Sequence, residues 1–303
     1  MKKHGKVTSH FRRHWQKHLM MLPVLILLTI FNYVPLTGVL MAFQNYSPKL
    51  GLFGSPWVGW TWFEFMFRMS NFTSVICNTL YISLLKIFTL QLASVLFALM
   101  LNELKLRRTR SLIQGAAIFP SFLSWVICAG IIKDIVAQEG IINQLIFTLT
   151  GQNISFLTDP AWFTVLLVVS SIWKDAGYNA VIIMAALTGI DPNLYEAADI
   201  DGASRFQKMR YVTLPGISQI VALLTILALG GVMNGGFDQI WNMYNATVRS
   251  SAEIIDTYVY RQGIGSGMYS LGTAVGLFKS VVGAILLVSS HWAAKRFAGY
   301  QVF

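Results

Sequence analysis

Residues His18–Pro48 read HLMMLPVLILLTIFNYVPLTGVLMAFQNYSP, with no Asp, Glu, Lys or Arg in the run. A helix needs about 20 predominantly apolar residues to cross ~30 Å of hydrocarbon, so this run is long enough to span a bilayer. Basic residues precede it: Lys2, Lys3, Lys6, Arg12, Arg13 and Lys17. A basic start and an apolar run also describe an export signal. A signal core, however, is only about 7–15 residues long and is closed by a small-x-small site. This run is longer and has no such site, so it reads as a retained first span.

The same pattern recurs along the chain. Segments 111–132 and 211–237 are also free of charge. Of the 303 residues, 55% are hydrophobic and 12% charged, against about 25% charged in soluble domains. The expected fold is an all-α membrane protein with six transmembrane helices, near 19–43, 73–101, 111–136, 161–188, 214–237 and 269–293. Segment 140–158 carries no Lys or Arg but holds Asn143, Gln144, Thr148, Thr150, Gln152 and Asn153. It reads as an interfacial or re-entrant helix, because polar groups in lipid need internal partners.

Charge decides the orientation. With the N-terminus inside, segments 1–18, 102–110, 189–213 and 294–303 hold 6, 4, 3 and 2 Lys+Arg, and the outer loops hold only Lys49, Arg68, Arg249 and Arg261. A seventh span would weaken this asymmetry, and basic residues collect on cytoplasmic loops. Both termini are therefore expected in the cytoplasm. The domains are a basic segment 1–18, a six-span domain 19–293 and a tail 294–303. The net charge of +10 is then a topology signal and argues against nucleic-acid binding. Cys77 and Cys128 lie in or beside apolar segments without metal-ligand spacing and read as small hydrophobes. Outer loop 44–72 is dense in Tyr46, Phe53, Trp57, Trp60, Trp62, Phe63, Phe65 and Phe67. It suits an aromatic membrane belt or a docking surface for an extracellular partner.

Loop 189–213 reads as helix, turn, helix. Asp191 is placed as an N-cap with Pro192 at the first helical position. Leu194, Tyr195 and Ala198 share a helical stripe, and Gly202 breaks the helix. Such an amphipathic helix can lie on the membrane surface, connect two spans, or seat in a groove of a cytoplasmic partner.

The pattern Glu196-Ala197-Ala198, Gly202 and Val212-Thr213-Leu214-Pro215 resembles the EAA loop of binding-protein-dependent bacterial ABC importer permeases. The family usually has Ile at the position of Val212. Asn78–Ser83, Trp173-Lys174-Asp175, Ile255–Arg261 and Thr273–Ser280 resemble its carbohydrate branch, most closely the permeases named for a lipoprotein system, which serve complex oligosaccharides. The resemblance implies that the loop docks on a separate ATPase. Glu196, Ala197 and Gly202 are the positions carried over, and Tyr195, Ala198, Asp201 and Arg205 complete the coupling set. It also implies two ATPase subunits holding ATP and Mg, a second six-span permease as a heterodimer partner, an extracellular solute-binding protein, and location in the bacterial cell membrane. No Gly-x4-Gly-Lys-Ser/Thr stretch occurs here, so no nucleotide cradle of that kind is expected on this chain. No cofactor, metal or catalytic residue is expected either.

Four lysines fall inside expected spans: Lys86, Lys133, Lys174 and Lys279. A charge at mid-bilayer costs at least ~2.5–3.5 kcal/mol on insertion scales, so each should face a cavity or a partner. In one reading Asp175, the single acid at that depth, pairs with Lys86 or Lys279, and the others bond carbonyls. In the other, Lys86, Lys174 and Lys279 with Asp175 and Asn179 line a path for an acidic oligosaccharide, flanked by Trp173, Tyr178 and Trp241. The rival to an ATP-driven importer is an ion-coupled carrier, which often shows inverted repeats or broken helices. No internal repeat is evident.

Overall fold

The computed structural model describes residues 15–104 and 106–298. The basic residues Lys2 to Arg13, Lys105 and positions 299–303 lie outside the described residues, as do the side chains of Lys295 and Arg296. The described residues form helices and connecting loops, with one isolated bridge between Gln44 and Trp57.

Helix α1 (Trp15–Phe43) passes from α to π geometry at Thr29–Tyr33 and to 3-10 geometry at Val34–Phe43. Helix α2 (Thr61–Arg68) lies in the aromatic loop, and α3 (Ser70–Glu103) follows it. Then come α4 (Arg107–Ile118), α5 (Trp125–Val136), α6 (Ile141–Thr150) and α7 (Pro160–Leu187). The expected loop contains α8 (Pro192–Ile200) and leads into α9 (Arg205–Gly230). The chain ends with α10 (Phe237–Met243) and α11 (Tyr269–Ala298).

Five of these helices are long and apolar enough to cross a membrane, and a sixth span results if the pair Arg107–Phe122 and Trp125–Thr150 is counted as one. That pair is bent by 105°, so the third span is not the straight helix expected over 111–136. A 3-10 turn at Phe119–Phe122 contains Pro120, and Ser124 then caps α5 by accepting from the Ile127 amide. Proline removes an amide donor and clashes with the preceding turn, and that breaks the ladder. The polar segment after α5 folds over Asn143. This fully buried amide donates to the Val136, Ala137 and Ile154 carbonyls and accepts from the Ile154 amide.

The fifth span also ends early. Alpha-helical structure stops at Gly230, not at 237, and the next helix begins at Phe237. Gly235 and Gly236 have φ of +57° and +89°, a region only glycine enters cheaply.

The central pair is α3 with α7. Asp159 caps α7 by accepting from the Ala161 and Trp162 amides, with Pro160 at its first position. A Cβ on Gly177 would collide with the Ala117 carbonyl, so α4 touches α7 backbone to backbone. Three apolar clusters hold the fold: one around Phe163, Leu167 and Ile240, one around Phe72, Met233 and Tyr258, and one around Ala98, Ile183 and Ile217. In the aromatic loop, Trp62 Nε1 donates to the Gln44 carbonyl at 3.0 Å, while Phe53, Trp57 and Trp60 stay exposed.

Candidate functional site

A cavity of about 340 Å³ lies among α3, α7 and the break after α9. Ser83, Lys86 and Gln91 reach it from a broad face of α3 that also presents Ile87 and Leu90. Ser171, Asp175 and Asn179 reach it from α7, four residues apart and so on one face. Asn234, Gly235 and Gly236 form its third wall. Ser83 Oγ and Gln91 Nε2 are buried there with no protein partner among the described residues. Buried polar atoms are nearly always satisfied, so this lining suits water or a hydroxyl-rich guest.

Each midspan lysine has a different occupation. Lys174 is buried and donates to the Pro120, Ser121 and Leu123 carbonyls at 3.2, 3.0 and 2.8 Å. It thus satisfies the backbone acceptors that the bend in the third span releases, and its ammonium also lies over the Trp125 ring. Lys279 pairs with Asp256 at 2.6 Å in a second cavity of about 490 Å³. Lys86 donates to the Gly235 carbonyl at 3.2 Å and to Gln239 Oε1 at 2.5 Å. Lys133 is half-buried on α5.

The structure therefore brings together Lys86, Asp175 and Asn179 from the expected path, and places the rest elsewhere. Trp173, two residues from Ser171, lies on the far side of α7 in an apolar groove with Phe97, Ala117 and Gly177. Tyr178 is more than half exposed, outside the cavity wall. Trp241 stacks on Phe237 and meets Tyr260 with ring centroids 4.5 Å apart. Asp175 pairs directly with neither Lys86 nor Lys279 among the salt bridges formed, and it is not the single acid available at depth. Asp256 takes Lys279 because the short helix that carries it, Ile255–Tyr258, packs against α11. Sequence reasoning also missed Ser83, Gln91 and Gln239. Their one signal was polarity inside apolar runs, which does not say which face they occupy.

The hairpin at 189–213 is built by local rules. Asp191 accepts from the Asn193 amide at 3.0 Å, and Pro192 opens α8. The Ala203 amide returns to the Ala198 carbonyl across Gly202, whose φ is +73°, a glycine C-cap. Ser204 and Gln207 form a reciprocal capping box. Glu196, Ala197, Asp201, Gly202 and Arg205 are exposed, whereas Tyr195 and Ala198 turn partly inward. Leu194 does not join their stripe. It is exposed, as are Ile200 at 87% and Phe206 at 66%. Tyr195 Oη bonds Thr213 Oγ1 at 3.0 Å, Lys208 pairs with Asp199 at 2.6 Å, and Ile190 packs where a Cβ of Gly216 would stand. The hairpin is thereby fastened to the foot of α9.

A polar cavity inside an apolar bundle, with an exposed hairpin on the helix that forms its wall, defines a membrane transport subunit. The chain belongs to the family described as the binding-protein-dependent transport system inner membrane component, whose model matches residues 91–298. It is thus the permease of an ABC-type transporter and not its ATP-hydrolysing subunit. It is 43% identical to Protein LplB of Bacillus subtilis (strain 168) over 281 residues, which cover 92% of this chain and 88% of that one. It is 40% identical over 287 residues to the Polygalacturonan/rhamnogalacturonan transport system permease protein YteP of the same organism, covering 94% and 89%. The crystal structure of a bacterial ABC transporter involved in the import of the acidic polysaccharide alginate superposes with a TM-score of 0.89 at 33% identity, covering 96% and 99%. Family membership speaks against an ion-coupled carrier, although the broken fifth span would suit one.

Proposed function

We propose that this chain is the permease of an ATP-driven importer that moves an oligosaccharide, acidic sugars included, into the cytoplasm. The observation that carries the reading is the placement of the cavity and the hairpin at opposite ends of α9. Closure of two ATPase subunits on ATP and Mg would pull the exposed face of α8, including Glu196, Ala197 and Ile200. The pull would travel along α9 to Gly231–Gly236. Alternating access then follows from the different affinities of two states for ATP. Charge asymmetry supports both termini and the hairpin in the cytoplasm. The exposed Phe53, Trp57 and Trp60 suit docking of an extracellular binding protein. A second six-span permease would complete the path as a heterodimer. The cavity suits sugar because it offers hydroxyl and amide partners beside one cation and one anion. The names of the relatives that carry pectic polymers or alginate support acidic sugars.

The test is reconstitution of the complex in vesicles with labelled oligogalacturonate, alginate oligosaccharide and a neutral maltooligosaccharide. ATP-dependent uptake is expected only with the binding protein present, and uptake driven by an ion gradient without ATPase would reverse the reading.

A further inference from the structure

The Gly231–Gly236 break is a weak point in a strong place. Leaving helical geometry frees backbone carbonyls inside an apolar bundle, and each needs a donor from the protein or from the cavity beside it. One of them, on Gly235, receives Lys86 Nζ from α3, 149 positions away in sequence. The same ammonium donates to Gln239 Oε1. Gln239 is fully buried, and its Nε2 donates to the Leu167 carbonyl at 2.7 Å and to Ser170 Oγ at 2.8 Å. With both amide hydrogens engaged on α7, only the amide oxygen remains to face Lys86. A chain of donors and acceptors therefore ties α7, α10, α3 and the break. Glycine suits the contact at Gly236: its φ of +89° would strain any other residue, and a Cβ there would stand 2.6 Å from Lys86 Nζ and push the ammonium away.

Helix α9 is thus held at both ends. Its foot is fastened by Tyr195 to Thr213 and by Ile190 over Gly216. Its head ends at Gly230, and the segment beyond is pinned by Lys86. Asn234, in that segment, lines both cavities. Whatever moves the break moves a wall of each.

We propose that Lys86 is a positioning residue that latches the Gly231–Gly236 break and so determines whether motion of the hairpin reaches the cavity wall. The inference rests on the permease reading above. It differs from a charge contact with sugar, because two donors of the ammonium are already used on protein acceptors.

The experiment places a thiol at Met233, which is 3% exposed inside the break. The full transporter carries Met233→Cys in a Cys77→Ser, Cys128→Ala background, in membrane vesicles, and is labelled with a water-soluble maleimide. Lys86→Met is expected to speed labelling roughly tenfold or more, the scale of a lost hydrogen bond to a charged group. Lys86→Arg, which keeps the donors, is expected to hold it within about twofold of the parent on the same scale. Gln239→Leu cuts the same chain, so it should also speed labelling. The double variant should be no faster than the faster single variant, because coupled positions are non-additive. Labelling untouched by either substitution, or effects that multiply, would overturn the latch. So would loss of sugar uptake in Lys86→Met with labelling unchanged, since that marks a substrate contact. Failure of the permease reading shows separately, as a parent complex without ATP-dependent uptake.

Discussion

The hairpin at 189–213 and the break at 231–236 lie at the two ends of α9 and are held in opposite ways. Every bond that shapes the hairpin joins near neighbours, the longest being Tyr195 to Thr213, 18 positions apart. Local amides close a single 3-10 turn within the break, but the side-chain bond that pins it comes from Lys86, 149 positions from Gly235. Lys86 also holds Gln239, 153 positions away, which is held in turn by residues 69 and 72 positions away. The hairpin is a product of caps, a proline and a glycine. The break is a product of packing, and its polar bonds matter more because they are buried, whereas the exposed groups of the hairpin can turn to water. A transporter needs both: an exposed part that keeps its shape alone, and a buried part whose shape depends on how the bundle is arranged.

The sharpest test of this contrast is Lys174, the other lysine held by distant backbone. Lys174→Met takes the donor from the Ser121 and Leu123 carbonyls of the bend, while the Pro120 carbonyl keeps the Leu123 amide, and should cost about 2 kcal/mol or more at ~1–3 kcal/mol per buried orphan. The expected outcome is a large fall in membrane abundance and detergent Tm, with uptake per surviving molecule unchanged. Normal abundance with selective loss of acidic-sugar uptake would return Lys174 to the path. Gly177→Ala should follow, destabilising by about 1–3 kcal/mol through overpacking against Ala117, read as a lower Tm.

The hairpin should respond locally. Gly202→Val forces a β-branched residue to a φ of +73° and should cost about 1–2 kcal/mol. Its main readout is loss of ATPase co-purification while thiol labelling at Met233→Cys stays slow. Fast labelling there would mean that the two regions are not separately held. Ile200→Asp, at an exposed position, should leave Tm within about 0.5 kcal/mol of the parent and still weaken ATPase co-purification. Lys208→Ala removes an ion pair with a 61% exposed Asp199 side chain and should have the smallest effect, below about 1 kcal/mol. A larger loss in that variant would show that the hairpin is wired more tightly than an exposed pair allows.

The segment between α10 and α11 offers a further contrast. There Arg261 donates through Nε and Nη2 to the two oxygens of a nearly buried Glu253. These hydrogen bonds hold the guanidinium above its ordinary pKa despite its partial burial. The pair lies eight positions apart, yet the sequence did not announce the pairing, because the helix between the partners passes from α geometry at Ile255–Tyr258 to π geometry at Val259–Gly265 and no regular helical spacing predicts it.

What could be read in the residues was whatever depends on a window of sequence. Long uncharged runs located the spans, since crossing hydrocarbon requires about 20 apolar residues. Asp191, Pro192 and Gly202 placed the hairpin helix, because caps act on the adjacent turn. Pro120 stood in the third span, but a proline alone does not say whether a helix kinks or survives. What answered that was Lys174 reaching across from α7 to the freed carbonyls. Likewise four lysines in apolar runs announced partners without naming them.

Sequence alone determined that this chain spans the membrane about six times and carries a capped, exposed hairpin before its fifth span. Only the tertiary structure decided that Lys174 mends a bend, that Lys279 meets Asp256, and that Lys86 grips a broken helix beside a polar cavity. The reason is physical. Burial in lipid and helix capping are set by neighbouring residues, whereas a charge inside the membrane is satisfied by whichever distant backbone the packing brings within hydrogen-bond reach.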